Sequence, residues 1–351
     1  MEKQTHQEKI FQEGMPPASN AGIFGLTDTY ENSDLVIIPV PWEATASHGK
    51  GTAYSAKGIL QASHQLDLED LRFGRPYENG IKLLDAHQKI TEFNSEASEI
   101  VSSTRSDRPL SPEELKASIS TVNEYSQKVN SMVEEASKMH LNNQKFVAVL
   151  GGDHSSPFGL LKALAEQHED FGILHIDAHF DLRKAYEGFT YSHASIMNNV
   201  LESLPQVTRL VQVGIRDFCS FEKAEAERQK ERVSVFYDSE IFSKKAEGVT
   251  FKELADAIVG KLPEKVYVSF DIDGLNPSYC PGTGTPVPGG IDYLEACYLL
   301  EVLAFSGRKI IGFDLCEVAS QTEESEWDFN VGARILYKLC GSLFQSQKGR
   351  A

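Results

Sequence analysis

The stretch F-G-I-L-H-I-D-A-H-F-D, residues 171–181, sets the reading of everything around it. Phe171 to Ile176 has the length and apolarity of a buried strand. The run passes directly into Asp177, His179 and Asp181, three metal-capable side chains at alternate positions. Residues two apart on an extended segment project to the same side, so one ion or a pair could meet all three. The plainer alternative is a strand ending in a polar loop, with the histidine satisfied by a neighbour. Ionisable groups seldom crowd the end of an apolar strand, and that favours the metal.

Outward from this stretch, apolar runs alternate with helical segments. Strands are predicted at Asp34 to Val40, Ile81 to Asp85, Phe146 to Leu150, Arg209 to Val213, Val233 to Tyr237, Lys265 to Phe270 and Lys309 to Leu315. Helices are predicted at Ser55 to Leu68, from Ser111 to about His140, Pro157 to Gln167, Thr250 to Leu262, Ile291 to Leu303 and Phe329 to Phe344. The start S-P-E-E at 111–114 combines a capping serine, a first-turn proline and acids at the positive end of the dipole. Residues 91–108, rich in Ser, Thr and charge without a clear period, read as a surface connection. Residues 1–30 read as a poorly ordered arm and 31–351 as a single catalytic domain. The fold class is α/β, three layers with a mostly parallel central sheet and helices on both faces.

Composition narrows the function. The 351 residues carry 34 basic and 51 acidic side chains, a formal net charge of −17. Phosphate binding needs a basic face, so nucleic acid and anionic membrane are excluded as partners. No apolar run is long enough to span a bilayer, and Met1 to Asn20 holds no signal-peptide core. Five scattered cysteines, Cys219, Cys280, Cys297, Cys316 and Cys340, form no C-x-x-C pair, as expected of a reduced, cytoplasmic protein.

The candidate ligands share one location. His154, the Asp177/His179/Asp181 set, the Asp271/Asp273 pair and Glu317 all follow the carboxyl ends of predicted strands, the edge at which open parallel sheets bind ligands. So many carboxylates would repel strongly without a cation. An oxygen-rich set with two imidazoles and no thiolate suits Mn²⁺ or a similar divalent ion better than structural zinc. There are more carboxylates than one ion needs, which points to two ions about 3.5 Å apart. Such a pair acidifies water and supplies a nucleophile without Ser or Cys, so hydrolysis is the natural chemistry. The loop Pro41 to Gly51, with Trp42, Glu43, Ser47 and His48, is either a wall of this site or only a turn. Cys280 and Cys316 read as buried small hydrophobes. His48, His64, His87, His140, His168 and His175 read as surface or satisfied core residues.

G-G-D-H-S at 151–155, D-A-H-F-D at 177–181, S-F-D-I-D-G-L-N-P at 269–277 and G-T-G-T-P-V-P-G-G at 282–290 resemble the ureohydrolase (arginase/agmatinase/formimidoylglutamase) family, in the family's order. The resemblance covers about residues 34 to 344. It implies a binuclear manganese site, two Mn²⁺ per subunit. His154, Asp177, Asp181 and Asp271 would hold one ion, and Asp177, His179, Asp271 and Asp273 the other. Glu317 matches the glutamate that grips the guanidinium, and His193, in Y-S-H-A-S, the histidine that passes protons to the leaving amine. It also implies a homo-oligomer, a trimer or hexamer.

The departures concern substrate. Cys219, in R-D-F-C-S-F-E, stands where arginases carry an Asp for the α-amine, and Glu222 closes that segment as a candidate substrate-binding acid. Arg183 stands where arginases carry Asn. Asp181-Leu182-Arg183 is similar instead to formimidoylglutamases, whose anionic substrate suits an arginine fork. The histidine-bearing loop is closer to agmatinases, and within it Tyr186 and Glu187 could face a cationic tail; Arg183 could equally be an outward salt-bridge partner. Val318-Ala319-Ser320 replaces the usual V-N-P or V-A-P after the glutamate. The expectation is an agmatinase-like enzyme converting agmatine and water to putrescine and urea. Formimidoylglutamate hydrolysis and a non-catalytic metal-binding protein are the alternatives.

Overall fold

The apolar runs pair into one eight-stranded sheet in the computed structural model, which describes residues 15–18, 20–106, 110–320, 322 and 325–348. The strands are β1 (Leu35–Val40), β2 (Ile81–Leu83), β3 (Phe146–Gly151), β4 (Phe171–Ile176), β5 (Val207–Ile215), β6 (Val233–Tyr237), β7 (Lys265–Asp271) and β8 (Lys309–Cys316). Their order is β2-β1-β3-β8-β7-β4-β5-β6. Every pairing between them is parallel, in keeping with the mostly parallel sheet expected, because each strand returns to the sheet through a helical or looped crossover.

Each central strand is apolar on both faces because it feeds two cores. Leu174 and Ile176 of β4 enter one, and Phe171 and Ile173 the other. Val266, Val268 and Phe270 of β7 oppose Tyr267 in the same way. The first core is closed by helices α1 (Ser55–Ser63), α8 (Phe251–Val259), α9 (Tyr293–Phe305) and α10 (Trp327–Gln347). The second is closed by α3 (Pro112–Asn142), α4 (Phe158–Gln167) and α5 (Ile196–Ser203). The result is the three-layer α/β architecture.

Three readings change. Residues 91–108 are not a loose connection: α2 (Gln88–Thr104) occupies most of the span and docks on α3 through buried Ile90, Ala97 and Val101. Of the supposed arm, residues 1–14 lie outside the described residues, but Ile23, Phe24 and Leu26 are core residues. Phe24 N–H donates to Ser63 Oγ at 2.8 Å, and the His64 ring contacts Gly22 O at 3.0 Å. Two further short helices, α6 (Ser220–Arg228) and α7 (Asp238–Ala246), follow β5 and β6. The start of α3 is as read, with Ser111 Oγ accepting from Glu114 N and Glu114 Oε2 from Ser111 N. Among the described residues no helix is long and apolar enough to cross a membrane.

The strand order sets up the site. β3, β8, β7 and β4, the strands that precede His154, Glu317, Asp271 and Asp177, are four consecutive neighbours at the middle of the sheet. Elements far apart in sequence therefore end on one rim.

Candidate active site

Each side chain is aimed by its strand end. After β3, the backbone must pass beside Trp42: a Cβ on Gly152 would lie 1.9 Å from Trp42 O, so only glycine fits. Asp153 N then bonds Trp42 O at 2.7 Å and turns His154 inward. After β8, Glu317 adopts φ +63°, its amide donates to Gly152 O at 2.9 Å, and its Oε1 accepts from His154 N at 2.9 Å. After β4, Asp181 sits at φ +55°. Left-handed backbone at two non-glycine residues is strain of the kind found where function fixes a side chain.

His154 Nδ1 lies 2.9 Å from Asp177 Oδ2, 3.2 Å from Asp181 Oδ2 and 3.1 Å from Asp271 Oδ2. His154 Nε2 is engaged by Ser269 Oγ at 2.9 Å. One proton on Nδ1 cannot serve three carboxylates, and Asp181 Oδ2 is buried without a hydrogen bond. One nitrogen and three oxygens converging in this way make a coordination shell for a hard cation. A second group stands beside it, with His179 Nδ1 3.1 Å from Asp273 Oδ2 and 3.5 Å from Asp177 Oδ1. The donors fit a pair of divalent ions, and the buried set His154, His175, Asp177, Asp181 and the set Asp177, His179, Asp273 share Asp177.

The electrostatics describe the same need. Burial, then the charges of Asp273 and Asp177, push the Asp271 carboxyl well above its ordinary range. Burial and the Asp177 charge raise Asp181 to about 6. Burial would lower His154, but the carboxylates of Asp177, Asp181 and Asp271 gathered at its Nδ1 outweigh that and hold it well above its usual value. Asp177 goes the other way: burial would raise it, yet His175 beside it and the bonds from His154 and His179 keep it well below. Cations at these positions would relieve the crowding.

These groups line one cavity of about 240 Å³, which brings together His154, His179, Asp181, Asp271, Asp273, His193, Glu317, Arg183 and Glu222. Asp177 lies just beneath, 1% exposed. His193 is held by Ser47 Oγ at its Nε2 and Ser192 Oγ at its Nδ1, both at 3.3 Å. Burial, then the charges of His179 and Arg105, push its pKa down to about 3. Arg183 does not point outward: its guanidinium is 4.8 Å over the Tyr186 ring, and its Nε is 3.4 Å from buried Glu222 Oε2. Glu187, in contrast, is turned to Arg105 at 2.6 Å and faces no tail. The Pro41 to Gly51 loop is a wall, since Ser47 and His48 both line the cavity. Cys280 and Cys316 are buried, and burial pushes both thiols well up.

Three further residues support the site. His175 is a satisfied core histidine, but its partner is Asp177 Oδ2, at 2.9 Å. Asp153, fully buried, accepts from Thr45 Oγ1 at 2.7 Å and Ser155 Oγ at 2.5 Å. Arg216 Nη2 donates to Asp273 O at 2.6 Å and Val287 O at 3.0 Å, tying the end of β7 to the 282–290 loop. The runs G-G-D-H-S and R-D-F-C-S-F-E contain the second and third of these without showing what they hold.

An oxygen-rich, cation-shaped rim at the carboxyl edge of a parallel α/β sheet defines a metallohydrolase. Comparison then specifies it: residues 33–341 match the arginase family, and the chain belongs to that family of metal-dependent hydrolases of guanidino C–N bonds. It is 30% identical to the N(1)-aminopropylagmatine ureohydrolase of Synechocystis sp. over 91% of this chain and 92% of that one. It is 29% identical to an agmatinase of Bacillus cereus, over 85% of this chain and 88% of that one. The agmatine ureohydrolase of Thermoplasma volcanium superposes with a TM-score of 0.71 at 23% identity, covering 97% of both chains, a likeness of fold.

Proposed function

We propose that the protein hydrolyses the guanidino group of a cationic guanidinoalkane, agmatine or its aminopropyl derivative, releasing urea and a primary amine. The observation that carries this reading is the charge left over in the cavity. If Asp181, Asp271 and Asp273 serve as ligands, the lining keeps Asp217, Glu222 and Glu317 against the single guanidinium of Arg183. A dication with a guanidinium at one end and an ammonium at the other matches that excess of acid. A dicarboxylate such as formimidoylglutamate would need Arg183 free, and Arg183 is paired with Glu222.

His154, Asp177, Asp181 and Asp271 would hold one divalent cation, and Asp177, His179, Asp271 and Asp273 a second, of the manganese type. The chemistry such a pair supplies is Lewis-acid activation of water. Glu317, fixed by His154 N, faces the guanidinium through charge-assisted hydrogen bonds. Burial and the Asp153 charge push its carboxyl up, the bond from His154 N and the His154 charge oppose them, and a cation in the cavity would favour the carboxylate. His193, neutral at rest, delivers a proton to the departing nitrogen. A homo-oligomer in the cytoplasm completes the reading.

Urea release from agmatine, N(1)-aminopropylagmatine and arginine, and formamide release from formimidoylglutamate, measured on wild type and Arg183→Ala, tests this. The expected result is urea from one or both polyamine guanidines and a modest effect of Arg183→Ala. Preference for formimidoylglutamate, lost selectively in Arg183→Ala, would overturn it.

A further inference from the structure

We propose that Ser47 and His48 carry protons between solvent and His193, a relay built into the cavity wall. Ser47 Oγ lies 3.3 Å from His193 Nε2 and 3.1 Å from His48 Nδ1. All three residues line the cavity, and His48 is exposed. The other ring nitrogen of His193 faces Ser192 Oγ, which is fully buried and not part of the lining. Nε2 is therefore the nitrogen on the cavity side, and the hydroxyl against it leads outward to a second imidazole.

The loop that carries the pair is anchored on several sides. Thr45 Oγ1 donates to Asp153 Oδ2 at 2.7 Å and accepts from His193 N at 3.3 Å. Arg105 Nη1 donates to Ala46 O at 2.7 Å. Gly49 N donates to Gly284 O at 3.1 Å, an approach so close that a Cβ on Gly49 would lie 2.8 Å from Gly284 Cα. These contacts bracket Ser47 and His48 and hold the three groups in line.

The inference rests on His193 as proton donor, and it answers where that proton comes from. Hydrolysis of a guanidinium breaks the C–N bond to the departing nitrogen and forms a C–O bond from water. Both water protons end on that nitrogen, which leaves as an ammonium. One is handed over within the reacting complex; the other enters solvent when water ionises and must be brought back. With its pKa near 3, His193 holds no proton in reserve. A proton from His48 Nδ1 to Ser47 Oγ, and one from Ser47 Oγ to His193 Nε2, charges the donor as the amine departs, and His48 refills from solvent.

The test uses the metal-loaded enzyme with agmatine in dilute buffer, comparing wild type, His48→Ala, Ser47→Ala, Ser47→Thr and His193→Ala, each checked for metal content and thermal midpoint. His48→Ala and Ser47→Ala should lose on the order of 10-fold in kcat with KM unchanged. Ser47→Thr should keep most activity, and added imidazole should restore His48→Ala in a saturable way. A His48→Ala enzyme that is undiminished, or diminished beyond rescue by imidazole, while His193→Ala is inactive, overturns the relay alone. A His193→Ala enzyme with normal turnover overturns the reading beneath it.

Discussion

Gln212 determines which nitrogen of His175 carries the proton. Its amide nitrogen is 2.8 Å from Phe180 O and 2.9 Å from His175 Nδ1, so it donates to both and leaves His175 to donate from Nε2 to Asp177 Oδ2. Asp177 is thereby oriented from behind, as a metal ligand would need to be. Gln212→Leu should weaken metal affinity about 10–100-fold while the fold persists, read by metal titration with circular dichroism as control. His193→Ala should leave metal content intact and lower turnover by roughly 10²–10⁴-fold, whereas Glu317→Gln should appear in kcat/KM. At this scale the sequence shows a great deal. An acid or histidine just past an apolar run projects from a strand end, and the structure brings those candidates to one rim. His175 and Gln212 are invisible there because they sit inside the runs, where the pattern predicts core and says nothing of a polar partner in register on the next strand.

The elements were legible in proportion to how much apolar surface they bury. β4 and β7, buried on both faces, stand out as continuous runs. Helix α2 does not: only Ile90, Ala97 and Val101 of its 17 residues are buried, and serines and acids between them hide the period. That narrow stripe still matters, because α2 leads to Arg105, which reaches Ala46 O beside the cavity. Ile90→Ala should cost about 2–5 kcal/mol of stability, measured by denaturant midpoint, with the smaller value expected if the helix end can settle into the gap. Helices α6 and α7, nine residues each, bury only Glu222 and Ala226 in the one and Ile241 in the other, too few apolar positions to mark a period. The order of strands was also out of reach, since local pattern says nothing about which run pairs with which.

Across the whole molecule, the rim is a store of charge that folding must accommodate. Without cations, Asp181 and Asp153 are raised from 3.8 to about 6, so their ionisation opposes folding, a cost absent below the unfolded value and complete above the folded one. His154 and His179 stabilise only while protonated, and that contribution falls as pH rises through their raised values. Asp177 has the opposite sign, but it is lost only at pH below its ordinary range, outside the same window. The gap in Tm between metal-loaded and metal-free protein should therefore widen between about pH 5 and about pH 7.5, and a gap that narrows would speak against a shared cation site. Asp177 and Asp271 would each serve both ions, and turnover would need both. Metal equivalents and urea release, measured together on wild type and Asp271→Ala, address it most directly: two equivalents and urea from agmatine in the wild type, with most metal and nearly all urea lost in the variant. Two equivalents still bound to Asp271→Ala, with urea release undiminished, would contradict it.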